Sequence, residues 1–393
     1  IRDFGRVLQV PLDEVDRMTD LIDGTLEESI QQEPELQEAE EEYEKLFEVA
    51  KVLENKNRNT STHAAGVIVA PGKLTDYIPI CIQDEEVTTQ YEMSSVEQAG
   101  MLKVDFLGLR NLTVIDDTLD LIERKRGIEL DSNDIPMGDE ETFELFGKGY
   151  TVGVFQFESE GMQENLRKLK PDCVDDLIAM NALYRPGPMK MIDDFIARKH
   201  GEQEVEYLHP DLEPILKDTF GIIVYQEQVM RIAQEMAGYS MAEADILRKA
   251  IGKKIKSLLE SQKEKFLNGL QENGYSEELG EEIWGWIKPF AQYSFNKSHA
   301  AAYAQIAYQT AYLKAHYPAE FMAAVLSRHM ESIDKVTFFI DECRRMGIKV
   351  LGPDVNESYS RFTVNQNGQI RFGMVAVKGV GEAAVEELIK ERE

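Results

Sequence analysis

Two charged residues, Lys103 and Asp105, lie two positions apart in the apolar run MLKVDFLGL. Because alternate side chains of a strand share a face, this spacing places the ammonium and the carboxylate side by side, and turns Leu102, Val104 and Phe106 toward a core. A carboxylate at a strand end suits a hard divalent cation, and a neighbouring lysine suits a phosphate. The alternative interpretation is a simple ion pair on a half-exposed strand, a common surface arrangement.

A second candidate is the run of cations in LRKAIGKKIK. Arg248 and Lys249 precede Lys253 by about one helical turn, so a helix places their charges on one side. Such a cluster can hold a triphosphate whose charge redistributes during phosphoryl transfer. The alternative is a solvated basic helix face, but the acidity of the remaining chain favours a specific role.

The segment FNKSHAAAYA places polar residues ahead of a stretch rich in Ala and Tyr. Ser298 is the predicted N-cap of the helix that follows. Lys297 and His299 then lie near the positive end of that helix, where anions bind. Tyr303 and Tyr308 are predicted to pack within the protein rather than to stack on bases.

The segment VKGVGE is followed by an apolar helical stripe. This order resembles the helix-hairpin-helix module, in which glycines such as Gly379 and Gly381 let backbone N–H groups approach DNA phosphates without regard to base sequence. Lys378 adds a cation to the same turn. The alternative is an ordinary Gly-rich turn.

The elements that must position these residues follow from the hydrophobic pattern. Residues 1–56 keep a helical period, and short β-branched segments in 57–108 predict a small mixed sheet. Residues 109–350 are mostly helical, and two short strands then flank Asn367-Gly368, a strong hairpin signal. The predicted fold class is therefore α+β and mainly helical.

Composition limits the classes of function. The formal net charge of −29 at first argues against a nucleic-acid partner, yet acids crowd residues 27–54 while residues 248–256 contain none. The scattered histidines and the three distant cysteines argue against a disulfide framework, a zinc site or a metallohydrolase, and fit a reducing cytoplasm. The sequence contains no run of eighteen apolar residues, so it predicts no membrane-spanning helix. The chain opens without an initiator Met and closes on LIKERE without a helix stop, so we expect it to be an internal part of a longer protein.

Taken together, these segments resemble the C family of bacterial replicative DNA polymerases, the alpha subunits of DNA polymerase III. The resemblance runs essentially from end to end. The motifs that carry it are IRDFGRVL, THAAGVIVAP, LKVDFLGLRNLTVI, ALYRPGP, FGIIVYQEQVM, LRKAIGKK, FNKSHAAAYA, LKAHYPAEFMAA and VKGVGE.

The resemblance implies an order of domains. Residues 1–60 correspond to the thumb, 61–108 to the C-terminal part of the palm, and 109–350 to the fingers. Residues 351–393 correspond to a hairpin and the start of the helix-hairpin-helix region that binds duplex DNA. The family's palm is similar to that of the polymerase-beta nucleotidyltransferases.

The resemblance also implies site roles. Asp105 matches the third catalytic aspartate, a ligand of two Mg²⁺ ions, and Lys103 matches a palm lysine beside the substrate phosphates. Arg248 and Lys249 match fingers cations that contact the triphosphate, together with Lys253 of the same cluster. The family commonly has Arg at the second position, so Lys249 is a departure that puts bidentate binding in doubt.

Three further contacts come from the same resemblance. His299 falls near the incoming nucleotide, Arg185 of YRPGP lies in a fingers motif that contacts substrate, and Lys378 with its flanking glycines contacts DNA. The implied partners are primer-template DNA, deoxynucleoside triphosphates, and the sliding clamp with other replicase subunits, with no membrane. The implied location is the cytoplasm, at the nucleoid.

An absence limits what these residues can do by themselves. The family supplies its other metal ligands from an upstream Asp-x-Asp pair, and no Asp-x-Asp occurs in these 393 residues. One carboxylate cannot hold two divalent ions about 4 Å apart, so we expect the chain alone not to polymerise. Two hypotheses follow: part of a template-directed DNA polymerase, or a non-catalytic module that binds primer-template DNA.

Overall fold

The computed structural model describes residues 1–22, 24–56, 61–83, 85–252, 256–290 and 294–392, without the side chains of Lys256 and Ser257. The chain divides into two compact units, Ile1–Gly108 and Leu109–Glu393. The fold is mainly helical with small sheets, which confirms the predicted fold class. Within the described ranges, no helix is both long and apolar enough to span a membrane.

The first unit combines short helices with two pairs of strands. Helices α1–α5 confirm the helical period of the first 56 residues, and they enclose a core in which Leu36 and Phe47 are fully buried. The elements are α1 (Arg2–Val7), α2 (Leu12–Asp20), α3 (Leu26–Gln32), α4 (Pro34–Glu42), α5 (Glu44–Leu53), β1 (Gly66–Val69), β2 (Ile80–Gln83), β3 (Glu86–Thr89), α6 (Met93–Gln98) and β4 (Leu102–Asp105).

The predicted small sheet is present as two antiparallel pairs, β1 with β4 and β2 with β3, rather than as one mixed sheet. The prediction that Leu102 and Phe106 point into a core is wrong, because these side chains are 62% and 68% exposed. A two-stranded sheet buries one face at most. Here the buried face carries Ile68, which lies opposite Lys103 and packs on a small core around Val96.

The second unit is built around the 20-residue helix α17. Its elements are α7 (Arg110–Arg126), α8 (Glu140–Gly147), α9 (Glu160–Leu169), α10 (Val174–Leu183), α11 (Ile192–Lys199), α12 (Glu213–Leu216), α13 (Gln226–Glu235), α14 (Met241–Gly252), α15 (Lys256–Glu272), α16 (Glu277–Phe290), α17 (Lys297–His316), α18 (Pro318–Ser327), α19 (Ile333–Arg345), β5 (Val350–Leu351), β6 (Thr363–Val364), β7 (Ile370–Arg371) and α20 (Glu382–Arg392).

Helix α17 packs against α7, α8, α10 and α18. Ala300, Ala304 and Ala307 are fully buried along it, and their small side chains permit close approach of the neighbouring helices. Tyr308 is also fully buried, and its hydroxyl donates to the carbonyl of Pro136, so its predicted packing role is confirmed.

A buried lysine fixes the C-terminal part of α17. The Lys314 ammonium donates to the carbonyls of Tyr150 and Val152 at 2.7 and 2.8 Å, and to Oε1 of Glu342 at 2.6 Å. The Lys314 side chain is 1% exposed, so all three of its donors are satisfied inside the protein. This network ties α17 to α19 and to the loop before α9.

The hairpin predicted near the C-terminus is confirmed. Strands β6 and β7 pair antiparallel, and Gly368 adopts a φ of 70°, a left-handed conformation that glycine accepts without strain. Strand β5 adds to β7 in parallel, and α20 follows after the segment VKGVG.

Candidate active site

The first candidate cluster lies where β1 and β4 pair. Their register sets Gly66 opposite Asp105 and Ile68 opposite Lys103. The predicted juxtaposition of the lysine and the aspartate is confirmed, because Nζ of Lys103 lies 2.6 Å from Oδ1 of Asp105. His63, just before β1, brings its Nδ1 to 3.8 Å from the same oxygen.

This arrangement keeps the carboxylate ionised and accessible. The hydrogen bond from Lys103 lowers the pKa of Asp105, the charges of Lys103 and His63 lower it further, and partial desolvation opposes them. The Lys103 side chain is 11% exposed and that of Asp105 is 44% exposed. The ion pair of the alternative interpretation is therefore present, and it leaves the carboxylate open to solvent.

Gly66 and His63 are members of this cluster that the sequence did not single out as site residues. A Cβ at position 66 would lie 2.9 Å from Cε of Lys103, 3.0 Å from Nδ1 of His63 and 3.3 Å from Oδ1 of Asp105. Glycine at this position therefore gives the three side chains the room to meet. The only signal for either residue was the motif THAAGVIVAP, which contains both.

Asp105 offers carboxylate oxygens of the kind that Mg²⁺ prefers. Among the described residues, however, Asp105 belongs to no group of three potential ligands. The one such group in that part of the chain is Asp172, Cys173 and Asp176. There the ammonium of Lys199 already binds both carboxylates, at 2.9 and 2.7 Å, so the group is satisfied as an ion-pair network. Among the described residues, Asp105 therefore supplies a single potential metal ligand.

The second cluster lies on α14. Arg248 and Lys249 both bind Asp245, whose oxygens lie 2.8 and 2.9 Å from their nitrogens. That their charges share one side of the helix with Lys253 stays a prediction. The hydrogen bond from Lys249 has the largest effect on the pKa of Asp245 and lowers it, and the hydrogen bond from Arg248 lowers it as well. Its position three and four residues upstream is the ordinary helical spacing of ion pairs, so the sequence contained this signal. Lys253 lies outside the described residues.

Two cations and one anion leave this patch with a net positive charge at neutral pH. The Arg248 side chain is 34% exposed and that of Lys249 is 55% exposed. Both can therefore reach a phosphate group at the surface, while Asp245 keeps them near one another.

The third cluster surrounds the first turn of α17. The predicted N-cap, Ser298, is wrong: Asn296 caps the helix, and its Oδ1 accepts from the backbone N–H of His299 at 2.8 Å. An Asn two residues earlier meets the same geometric need, because its side chain reaches the third N–H of the helix. The anion at this helix end is the carboxylate of Glu227, which accepts from the backbone N–H of Lys297 at 2.9 Å.

Aromatic contacts join this turn to the segment YRPGP. The guanidinium of Arg185 lies 3.9 Å from the ring centroid of Phe295. The ring of His299 contacts two aromatic rings, with centroid distances of 5.3 Å to Phe295 and 4.2 Å to Tyr303. The structure thus brings Arg185 and His299 together around Phe295. Burial lowers the pKa of Arg185. His299 is exposed, so a ligand can reach its ring.

The fourth cluster is the turn before α20. Lys378, Gly379 and Gly381 are all exposed, and the structure gives Gly379 a φ of 87°, which an L side chain rarely adopts. A Cβ at either glycine would meet nothing within 4 Å. The turn is therefore open to solvent around both glycines, although the backbone N–H of Val380 already donates to the carbonyl of Val377 at 3.0 Å.

Comparison with known proteins adds family evidence to this geometry. Residues 1–108 match the family model of the bacterial DNA polymerase III alpha NTPase domain, and residues 111–274 match that of the bacterial DNA polymerase III alpha subunit finger domain. Residues 347–393 match the helix-hairpin-helix motif.

Curated relatives match along the whole length of the chain. The chain is 46% identical to the DNA polymerase III subunit alpha of Escherichia coli K12 over 412 aligned residues, which cover 100% of the chain and 36% of the relative. It is 47% identical to that of Pseudomonas aeruginosa, over 98% of the chain and 35% of the relative. It is 47% identical to that of Chlamydia muridarum, over 100% of the chain and 32% of the relative. The chain thus spans about a third of the length of these relatives.

Proposed function

The chain belongs to the family of bacterial DNA polymerase III alpha subunits, and from this membership we propose that it takes part in template-directed DNA synthesis. The reaction is the transfer of a deoxynucleotide to a primer 3′-hydroxyl. The observation that carries the proposal is the half-exposed, ionised carboxylate of Asp105 at the end of β4, held by Lys103 in the room left by Gly66.

In this proposal Asp105 is a metal ligand. Magnesium, when bound, supplies charge stabilisation at the attacking and leaving oxygens. The task of Asp105 is to present an ionised oxygen, and the lowered pKa supports that task throughout the neutral range. Lys103 orients the carboxylate and places a point charge beside the substrate phosphates.

The residues of the second unit bind the nucleotide in this proposal. Arg248 and Lys249, with Lys253, contact the triphosphate through their net positive patch. Lys249 donates as a flexible point charge and not as a planar fork, so we expect the more directional contact from Arg248. Arg185 and His299 contact the same substrate, and the ring of Phe295 contacts both of them.

The turn formed by Lys378, Gly379 and Gly381 binds the backbone of duplex DNA in this proposal. Backbone N–H groups of the two exposed glycines and one cation give contact without base specificity. Primer-template DNA and deoxynucleoside triphosphates are the substrates. The sliding clamp and other replicase subunits are the proposed protein partners, and the cytoplasmic nucleoid is the proposed location.

A second candidate function is binding of primer-template DNA without catalysis. The accessible Gly-x-Gly turn favours it, because that turn needs no metal. The two candidate functions predict different results for the full-length protein that contains this chain. If the protein is a polymerase, it extends a primed template in the presence of magnesium, and Asp105→Asn abolishes extension while DNA binding remains. Extension that survives Asp105→Asn would refute the role of Asp105, and binding without extension by the unmodified protein would favour the second candidate.

We further propose that these 393 residues alone do not extend primers, because they contain no Asp-x-Asp. Asp105 by itself does not complete a two-metal site. The purified chain is tested beside the full-length protein in the same assay. Magnesium-dependent extension by the chain alone, lost on Asp105→Asn, contradicts this proposal.

A further inference from the structure

We propose that Glu227 is a positioning residue for the nucleotide site, and this inference rests on the proposed function. Glu227 is the second residue of α13 and lies in FGIIVYQEQVM, a motif to which the resemblance assigned no role. Its carboxylate accepts from Nδ2 of Asn296 at 2.7 Å and from the backbone N–H of Lys297 at 2.9 Å. It therefore holds the start of α17 across 70 residues of sequence.

Gln226 reinforces the same junction. Its backbone N–H donates to the carbonyl of Phe295 at 2.8 Å, and its side-chain amide donates to Oγ of Ser294 at 3.0 Å. Tyr225 and Phe295 form a parallel β-bridge beside it. Gln226 and Glu227 thus form four hydrogen bonds, two with backbone groups and two with side chains, that hold the segment from Ser294 to Lys297.

The base of this junction is itself rigid. The buried Gln228 accepts at Oε1 from the backbone N–H groups of Val224 and Tyr225, and donates to Oγ1 of Thr219 at 2.7 Å. Helix α13 therefore starts from a fixed point, and Glu227 transmits that position to α17. A rigid support is what a binding residue needs, because small displacements of contacting groups cost much of the rate.

The consequence for the site is specific. Phe295 contacts Arg185 and His299, so a shift of Phe295 and the first turn of α17 moves His299 and also the ring that Arg185 contacts. Glu227 itself faces Asn296 and the helix N-terminus, and it acts through these residues. The carboxylate also balances the positive end of the helix, so the cap keeps one conformation when no nucleotide is bound.

The test uses the full-length protein and steady-state single-nucleotide incorporation on a primed template. Glu227→Ala removes both acceptor contacts and is expected to raise the KM for the deoxynucleotide by about tenfold or more. The dissociation constant for primer-template DNA stays unchanged. A role confined to folding would lower the active fraction, and hence kcat, and would leave this KM as it is.

A polarity swap provides the second variant. Asn296→Asp keeps the cap on the His299 N–H but faces the Glu227 carboxylate with a second one, so its KM should rise as well. Adding Glu227→Gln restores a donor–acceptor pair with reversed polarity, and the double variant should recover most of the affinity. Glu235→Ala is the matched control, because Glu235 lies on the same helix, is exposed, and pairs with Arg231.

The outcomes separate the two proposals. If the unmodified protein incorporates nucleotides but Glu227→Ala keeps the wild-type KM, the positioning role is refuted while the polymerase proposal stands. If the double variant keeps the raised KM of Asn296→Asp, that result also counts against the positioning role of Glu227. If the unmodified protein incorporates no nucleotide, the proposed function fails first.

Discussion

Gly66→Ala tests the geometry around Asp105 with a single methyl group. Ordinary van der Waals contact begins at 3.4 Å, and the added Cβ would approach Cε of Lys103 to 2.9 Å, about half an ångström too close. It would also meet Nδ1 of His63 and Oδ1 of Asp105 at 3.0 and 3.3 Å. The methyl group therefore pushes on all three partners at once.

The expected effect is a loss of activity with little loss of stability. The crowding atoms are side-chain atoms that can move, and alanine also restricts the unfolded chain, so the free energy of unfolding should change by no more than about 1 kcal/mol. Displacing Lys103 by about half an ångström, and with it the Asp105 carboxylate that it holds, should lower kcat/KM for primer extension about tenfold. Primer extension and thermal unfolding of the full-length protein measure the two quantities.

Gly72→Ala is the matched control. Gly72 follows β1 in the same unit, and a Cβ there would lie 3.6 Å from the hydroxyl oxygen of Tyr77, an ordinary contact. We expect this variant to retain wild-type activity. Wild-type kcat/KM for Gly66→Ala, or an equal loss in both variants, would refute the reasoning.

Three further predictions concern charges elsewhere in the chain. Lys314→Met should destabilise the protein by about 3 kcal/mol in urea unfolding, because it leaves a buried carboxylate and two carbonyls without their ammonium; the exposed control Lys148→Met should be silent, and equal effects would contradict this. Replacing Arg248 and Lys249 together by Ala should raise the KM for nucleotide far more than the Kd for DNA, and an unchanged KM would exclude them from the triphosphate site. Lys378→Ala should weaken duplex binding and reduce the salt slope of log K by about one, and an unchanged slope would place this lysine away from DNA.

Local spacing was sufficient to predict several features. Lys103 and Asp105 share a face because strand side chains alternate, and the hairpin at Asn367-Gly368 follows from the needs of its turn. Helix α7 ends at Gly127 with a φ of 65° for a similar reason. In each case the decisive interactions lie within a few residues of one another.

Contacts between distant segments were beyond the reach of such patterns. Nothing in the sequence near Gly66 indicates that Asp105 lies opposite it, since strand register depends on the folded unit. The cap at Asn296 was missed because Ser298 satisfies the same local rule, and the deciding partner, Glu227, lies 69 residues away. Burial of Leu102 was predicted from alternation, which identifies two faces but not which of them the rest of the unit covers.

Three of the four clusters share one physical arrangement, in which a charged group of the protein already occupies the charge or the helix end before a ligand arrives. Lys103 pairs with Asp105, Asp245 pairs with Arg248, and Glu227 occupies the start of α17. In the first two pairs at least one partner is partly exposed, and pairs open to solvent contribute little, so a metal ion or a triphosphate can replace a partner at small cost. Pairing meanwhile restricts the side chains, which lowers the entropy lost on binding. A chain with a net charge of −29 can in this way present local cationic sites to a polyanion, because the charges within a few ångströms of the ligand dominate over distant ones screened by salt.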